Sequence, residues 1–149
     1  MDAFVLLKKD HETVAGIFEK LEPTTERAVK TRQELFGDLK AELDLHAHIE
    51  AKILYPALKQ EAETRDITFE GLEEHHVIKL LLKELSGMKV DSEEWTAKLK
   101  VLQENVEHHV EEEETDMFKH AREVLSKEEI EKLGARLEAE KERAAVAAA

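Results

Sequence analysis

The stretch "NVEHHVEEEE" (Asn105–Glu114) sets two histidines beside four consecutive glutamates. A run of charge this dense ordinarily forms the solvated face of a helix. On a helix each residue advances by about 100°, so phase separates these side chains. His109 falls one turn after Val106 and two turns after Leu102, on the apolar stripe, whereas His108 turns away from it. Glu113 follows His109 at i,i+4, and residues at that spacing are neighbours on one helix face. A histidine and a carboxylate therefore point where apolar side chains belong. Glu111, Glu112 and Glu114 read as the solvated face, and the run raises the local negative potential, which attracts cations. Burying an unpaired carboxylate costs on the order of several kcal/mol, so the inward pair demands a partner.

The surrounding chain is built to fold as helices. Of its 149 residues 38% are charged and only 5% aromatic, and glycine and proline are scarce. That balance predicts one all-α domain with long elements and an aliphatic core. Lys and Arg total 22 against 35 Asp and Glu, a net charge of −13. Phosphate recognition needs basic clusters, so no nucleic acid and no anionic membrane surface is expected as a partner. There is no cysteine, which removes disulfides, thiolate metal sites and a cysteine nucleophile. No apolar run is long enough to span a bilayer and no signal-like segment opens the chain, so a cytoplasmic location is expected.

Breakers and caps divide the chain into four long helices. The first runs from about Ala3 to Leu21, ahead of Pro23. The second starts near Thr25 and passes Tyr55-Pro56, where the missing amide of Pro56 predicts a kink or break. The third runs from about Phe69 to Met88. The fourth starts at "DSEEW" (Asp91–Trp95), where Asp91 or Ser92 can cap, and continues to about Val124. "SKEE" (Ser126–Glu129) is a capping-box pattern for a short fifth helix ending in a frayed alanine tail. The expected organisation is a bundle over residues 1–124, with a short helix and tail over 125–149. Each long helix carries an apolar stripe: Phe4, Leu7, Val14 and Phe18; Leu35, Leu39, Leu43 and Ile53; Ile78, Leu82 and Leu85; Leu99, Leu102 and Val106. Short connections between such helices predict an antiparallel up-down four-helix bundle.

The phase test applied to every histidine gives one inward histidine per helix. His11 lies between Leu7 and Val14, and His46 between Leu39 and Ile53. His75 lies in register with Ile78, Leu82 and Leu85, and is preferred to His76, which sits to one side. His48 faces away from the core, and His120 is a rim residue. Glu50 follows His46 at i,i+4, as Glu113 follows His109. Six unrelated polar intrusions at matching positions are a poor account of this pattern, and a shared cation explains all of them. Four imidazoles and two carboxylates suit iron or manganese, with zinc possible. Six donors exceed one tetrahedral zinc, so a two-metal centre fits best, with Glu50 and Glu113 bridging.

Four pieces carry a wider resemblance: "KKDHETVAGIFEKL" (Lys8–Leu21), "LDLHAHIEAKILYPAL" (Leu43–Leu58), "EEHHVIKLLL" (Glu73–Leu82) and "VEHHVEEEETDMF" (Val106–Phe118). In this order they resemble the hemerythrin-like, HHE cation-binding domain family. The resemblance implies a hemerythrin-like bundle around two non-heme iron ions, often oxo- or hydroxo-bridged. His11, His46, His75 and His109 would be terminal ligands, and Glu50 and Glu113 the bridges. Family members bind O2, sense oxygen or iron, or handle peroxide (H2O2) and NO.

Two positions depart from the family pattern. Lys79 stands one turn after His75, where oxygen carriers have a fifth histidine, and a lysine ammonium is a poor ligand. Glu42, Tyr55, Glu74 and Glu112 are the candidates to replace it. An open position on each iron favours peroxide chemistry over reversible oxygen carriage. Lys119 stands where the family commonly has proline. Trp95 reads as a packing anchor and Tyr55 as a buried residue at the kink. The expected function is therefore a di-iron protein that binds or senses O2, NO or peroxide. The alternatives are a catalase- or peroxidase-like enzyme, an iron donor in stress repair, or a structural bundle with incidental zinc. The protein partner of a sensor is not readable from this chain.

Overall fold

The computed structural model describes residues 1–148, and Ala149 lies outside the described residues. Helix α1 spans Ala3–Leu21, as its stripe predicts, and Asp2 caps it by accepting from the Phe4 and Val5 amides at 2.8 and 3.2 Å. Helix α2 spans Val29–Ile49 and runs through a π-helical turn, Glu50–Leu54, into α3, Tyr55–Lys59. Helix α4 spans Ala62–Ser86, starting seven residues earlier than the apolar pattern suggests. Helix α5 spans Glu93–Glu112 and passes through a second π-helical turn, Glu113–Met117, into α6, Phe118–Val124. Ser92 caps α5 by accepting from the Trp95 amide at 3.1 Å. Among the described residues there is no strand, and no helix is long and apolar enough to cross a membrane.

The last element corrects the expectation of a short helix with a frayed tail. Helix α7 spans Lys127–Ala148, 22 residues, and alanine, the strongest helix former, carries it to its end. The Ser126–Glu129 capping box forms in both directions: the Glu129 amide donates to Ser126 Oγ at 3.1 Å, and the Ser126 amide to Glu129 Oε1 at 3.3 Å. Ile130, Leu133 and Leu137 are buried in the same core as Phe4 and Leu7, so α7 is a fifth layer of the bundle.

The apolar interior is divided. One core gathers Phe4, Leu7, Leu54, Leu58, Phe118 and α7 at one end. The other gathers Phe18, Phe36, Leu39, Leu82, Trp95 and Leu102 at the opposite end. Trp95 is the anchor its pattern predicts: it is fully buried, edge-on to Phe36 and covered by the Arg32 guanidinium at 4.9 Å. Between the two cores lies a polar layer that contains the inward histidines and glutamates.

Candidate metal centre

The two π turns build the site. In an α-helix a residue five positions on lies about 140° out of phase, so Tyr55 would face away from Glu50. In the π turn the Tyr55 amide instead reaches the Glu50 carbonyl, and both side chains enter the same layer. The second turn repeats this arrangement, with the Phe118 amide on the Glu113 carbonyl. Pro56 sits just past the first turn, whereas Lys119 sits past the second, so proline is not what makes the turn. The expected break at Pro56 is therefore an insertion upstream of it, a form that recurs at functional sites.

Six side chains meet in two overlapping groups. His11, His46, Glu50 and Glu113 form one, and His75, His109, Glu50 and Glu113 the other; within each group the donor atoms lie within 4.8 Å of one another. His11 Nε2 and His46 Nε2 face each other at 3.2 Å, as do His75 Nε2 and His109 Nε2. Glu113 divides its oxygens, with Oε1 at 3.1 Å from His11 Nε2 and Oε2 at 3.3 Å from His109 Nε2. Glu50 Oε1 lies 3.2 Å from His46 Nε2 and 3.0 Å from His75 Nε2. All but His75 are buried, and His75 is half-buried.

A second layer of carboxylates orients the imidazoles. His46 Nδ1 donates to Asp10 at 2.9 Å, His109 Nδ1 to Glu74 at 2.6 Å, and His11 Nδ1 to Glu114 at 2.6 Å. A carboxylate only accepts, so these bonds place a proton on Nδ1 and turn Nε2 to the centre. Lys141 of α7 ion-pairs with Asp10 from behind. Burial raises the Asp10 carboxyl, but His46 and Lys141 outweigh it and hold the group below its usual range. Burial would likewise lower the His46 imidazolium, yet the Glu50 charge and the Asp10 bond raise it to about 10. His109 is raised against its own burial by Glu113, Glu50 and Glu74. Burial pushes Glu50 up, and the surrounding imidazoles, His46 first, bring it well below the usual range.

These residues fit a bound cation. Opposed Nε2 atoms at 3.2 Å need a proton or a metal between them, and Glu50 Oε2 is a fully buried carboxylate oxygen without a hydrogen-bond partner. A buried polar atom left unpaired is costly, and a cation at either group relieves it. The donors are imidazole and carboxylate only, the set that suits iron, manganese or zinc.

The structure also sorts the remaining candidates. Tyr55 is fully buried, and its hydroxyl donates to Glu113 Oε2 and lies 3.3 Å from both Glu50 Oε1 and His75 Nε2. Burial, then the Glu113 and Glu50 charges, push its phenol well above 10, so it keeps its proton. Glu74 serves His109 from outside. Glu112 joins Glu74 and His108 in a peripheral acidic group and is raised to about 7, chiefly by its hydrogen bond with Glu74. Glu42 belongs to neither central group. His76 is exposed, and His48 faces outward onto Glu140 of α7 at 2.8 Å. Glu114 corrects its reading as a solvated residue, because its carboxylate accepts from His11 Nδ1. We expect Tyr55→Phe to leave metal content unchanged and to lower stability by about 1–2 kcal/mol, the range for a lost buried hydrogen bond. Chemical denaturation of the two proteins checks this.

A sequence signal for Asp10 and Glu74 exists, in an internal duplication. "DHETVAGIFEKL" (Asp10–Leu21) aligns with "EHHVIKLLLKEL" (Glu74–Leu85), and Leu43–Leu58 with Val106–Ala121. Each ligand candidate has a mate: His11 with His75, His46 with His109, Glu50 with Glu113. The acidic residue before His11 bonds His46, and the one before His75 bonds His109. Tyr55 stacks on His75 with centroids 5.2 Å apart, and its mate Phe118 stacks on His11 at 6.2 Å.

A helical bundle with a buried layer of paired histidines and shared carboxylates is a metal-binding bundle. Residues 2–121 match the Hemerythrin HHE cation binding domain model, and the chain belongs to that family. It is 31% identical to the uncharacterized protein Rv2633c of Mycobacterium tuberculosis, over 93% of this chain and 84% of that protein. It is 27% identical to a DNA nickase of Nostoc sp., over 91% of this chain, which spans only 38% of that relative's length. Among solved structures it resembles a hemerythrin HHE cation binding domain-containing protein from Mycobacterium kansasii, a homolog of Rv2633c. That likeness has a TM-score of 0.84 and 27% identity, and covers 96% of this chain and 86% of the other.

Proposed function

We propose that this chain holds two iron ions and binds or senses O2, NO or peroxide through them. His11 and His46 would be terminal donors to one ion, His75 and His109 to the other, with Glu50 and Glu113 between. The observation that carries this reading is the sharing of both carboxylates by the two histidine pairs. When bound, the iron pair supplies electrons to a small oxidant. The protein's own part is to hold each Nε2 toward the centre, to flank it with an apolar core on either side, and to keep a proton on Tyr55 Oη beside both carboxylates. Lys79 is exposed. A donor set without a fifth histidine supports peroxide or gas chemistry over reversible oxygen carriage. The net charge of −13 supports a small molecule as the ligand in preference to nucleic acid.

The protonated Tyr55 hydroxyl favours a second reading, a catalase-like enzyme, which needs a proton donor at the centre and no external reductant. Metal analysis and a visible spectrum of aerobically purified protein test both. About two irons per chain with near-ultraviolet absorption are expected, and stoichiometric zinc in a colourless protein would remove both readings. Oxygen release on adding peroxide selects the enzyme, and its absence selects the sensor.

A further inference from the structure

The internal duplication places two related clefts on the bundle, and they differ in size and charge. The larger, about 670 Å³, opens between α2 and α4 and has all four inward histidines at its floor. Its mate, about 450 Å³, opens between α1 and α5 and reaches His11. Equivalent positions differ in charge. Lys83 at the first mouth stands where the second has Glu19, and Lys40 where the second has Gln103. Ala47 and Ala51 in the first correspond to Val110 and Glu114 by the second, and Glu114 bonds His11 Nδ1 across that side. No carboxylate among the described residues bonds His75 Nδ1, because its position is taken by Ala51. One face of the duplicated fold thus carries the smaller, acidic cleft, with Glu114 on His11, and the other the larger, basic one.

The basic mouth is out of character for a chain of net charge −13. Lys79 and Lys83 stand at i,i+4 on one helix face, a like-charge pair that costs stability. Neither makes an ion pair among the described residues, whereas Lys40 pairs with Asp44 at 2.6 Å. Below the lysines the walls are Leu43, Ile78, Leu82 and Val106. A volume of this size suits an organic ligand and far exceeds a diatomic gas or peroxide.

We propose that the α2/α4 cleft binds a medium-chain alkyl carboxylate. The carboxylate pairs with Lys79 and Lys83, the chain lies between Leu43 and Leu82, and the methyl end rests on the floor beside His75. A ligand so placed closes the open route to the candidate metal centre. The inference deepens the metal reading only in that last step, since the cleft itself is formed by protein side chains.

Calorimetric titration of the full chain with decanoate, before and after chelation, tests it. One saturable site per chain is expected, with decyltrimethylammonium binding at least about tenfold more weakly, as a charge-selective mouth requires. The double variant Lys79→Glu/Lys83→Glu should reverse that preference, and Ala47→Trp should remove binding of both probes. No saturable decanoate binding, or an unchanged preference in the lysine variant, would overturn the proposal. Iron content is measured on the same samples. Decanoate binding without iron overturns only the metal reading, and iron without decanoate binding overturns only this one.

Discussion

On the two-iron reading proposed above, replacing Glu50 with alanine is expected to remove both ions together. Glu50 is fully buried, and its Oε1 lies within 3.2 Å of a histidine from each pair. Alanine takes a donor from both groups in one step, and Glu113 is then the one carboxylate left in either group. Loss of an outer supporting partner alone costs about 10- to 100-fold in metal affinity, so loss of a shared ligand should exceed a hundredfold. Metal analysis after gel filtration should find essentially no bound iron in Glu50→Ala, with His109→Ala as the companion variant. His48→Ala is the contrasting case: its side chain faces α7, and its metal content should equal that of the parent. Helix content by circular dichroism confirms that each variant folds. Unchanged iron in folded Glu50→Ala and His109→Ala would sink the ligand assignment.

The second large effect is a metal-free stability that falls as pH rises while metal affinity grows. In the chelated protein His46 is raised to about 10 and His109 is raised as well. A histidine whose folded pKa exceeds its unfolded value stabilises fully below the unfolded value, here 6.5. That contribution is lost as pH rises from 6.5 through the folded pKa. Glu50 works the other way, present above its ordinary 4.5 and lost as pH falls below it. The chelated protein should therefore be most stable between about pH 4.5 and 6.5 and weaken steadily above. Metal binding must displace the same imidazole protons, so affinity rises with pH and protons are released on loading. A metal present at a thousandfold excess over its Kd contributes about 4 kcal/mol. For a chain of this size that is about 8–16 °C in Tm. Thermal melts with and without chelator at about pH 6 and pH 8.5 should show the gap widening at the higher pH. A constant gap would mean that protonated histidines are not what the metal replaces.

Much of this architecture was legible before any coordinates. His11, His46, His75 and His109 each sit on an apolar stripe, and a helix admits only one phase for that stripe. The choice of His75 over His76 follows from the same argument. What helical phase could not supply were departures from the α-helical repeat. Tyr55 is buried at the kink as its position predicts, but only the first wide turn brings its hydroxyl onto Glu50 and Glu113, and Glu114, read as solvated, lies within the second wide turn and reaches His11. The pairing of Lys141 with Asp10 was out of reach as well, since it depends on where α7 docks along α1.

The sequence by itself determined an all-helical bundle and the six residues that meet in its centre, because amphipathic periodicity and i,i+4 spacing are local properties of the chain. Only the tertiary structure decided that the two halves of a duplicated fold are unequal. On one side Glu114 holds His11 beside a smaller cleft, and on the other Ala51 leaves a larger one beneath lysines. That inequality arises between helices distant in sequence, where the size and charge of facing side chains decide whether a gap fills or stays open.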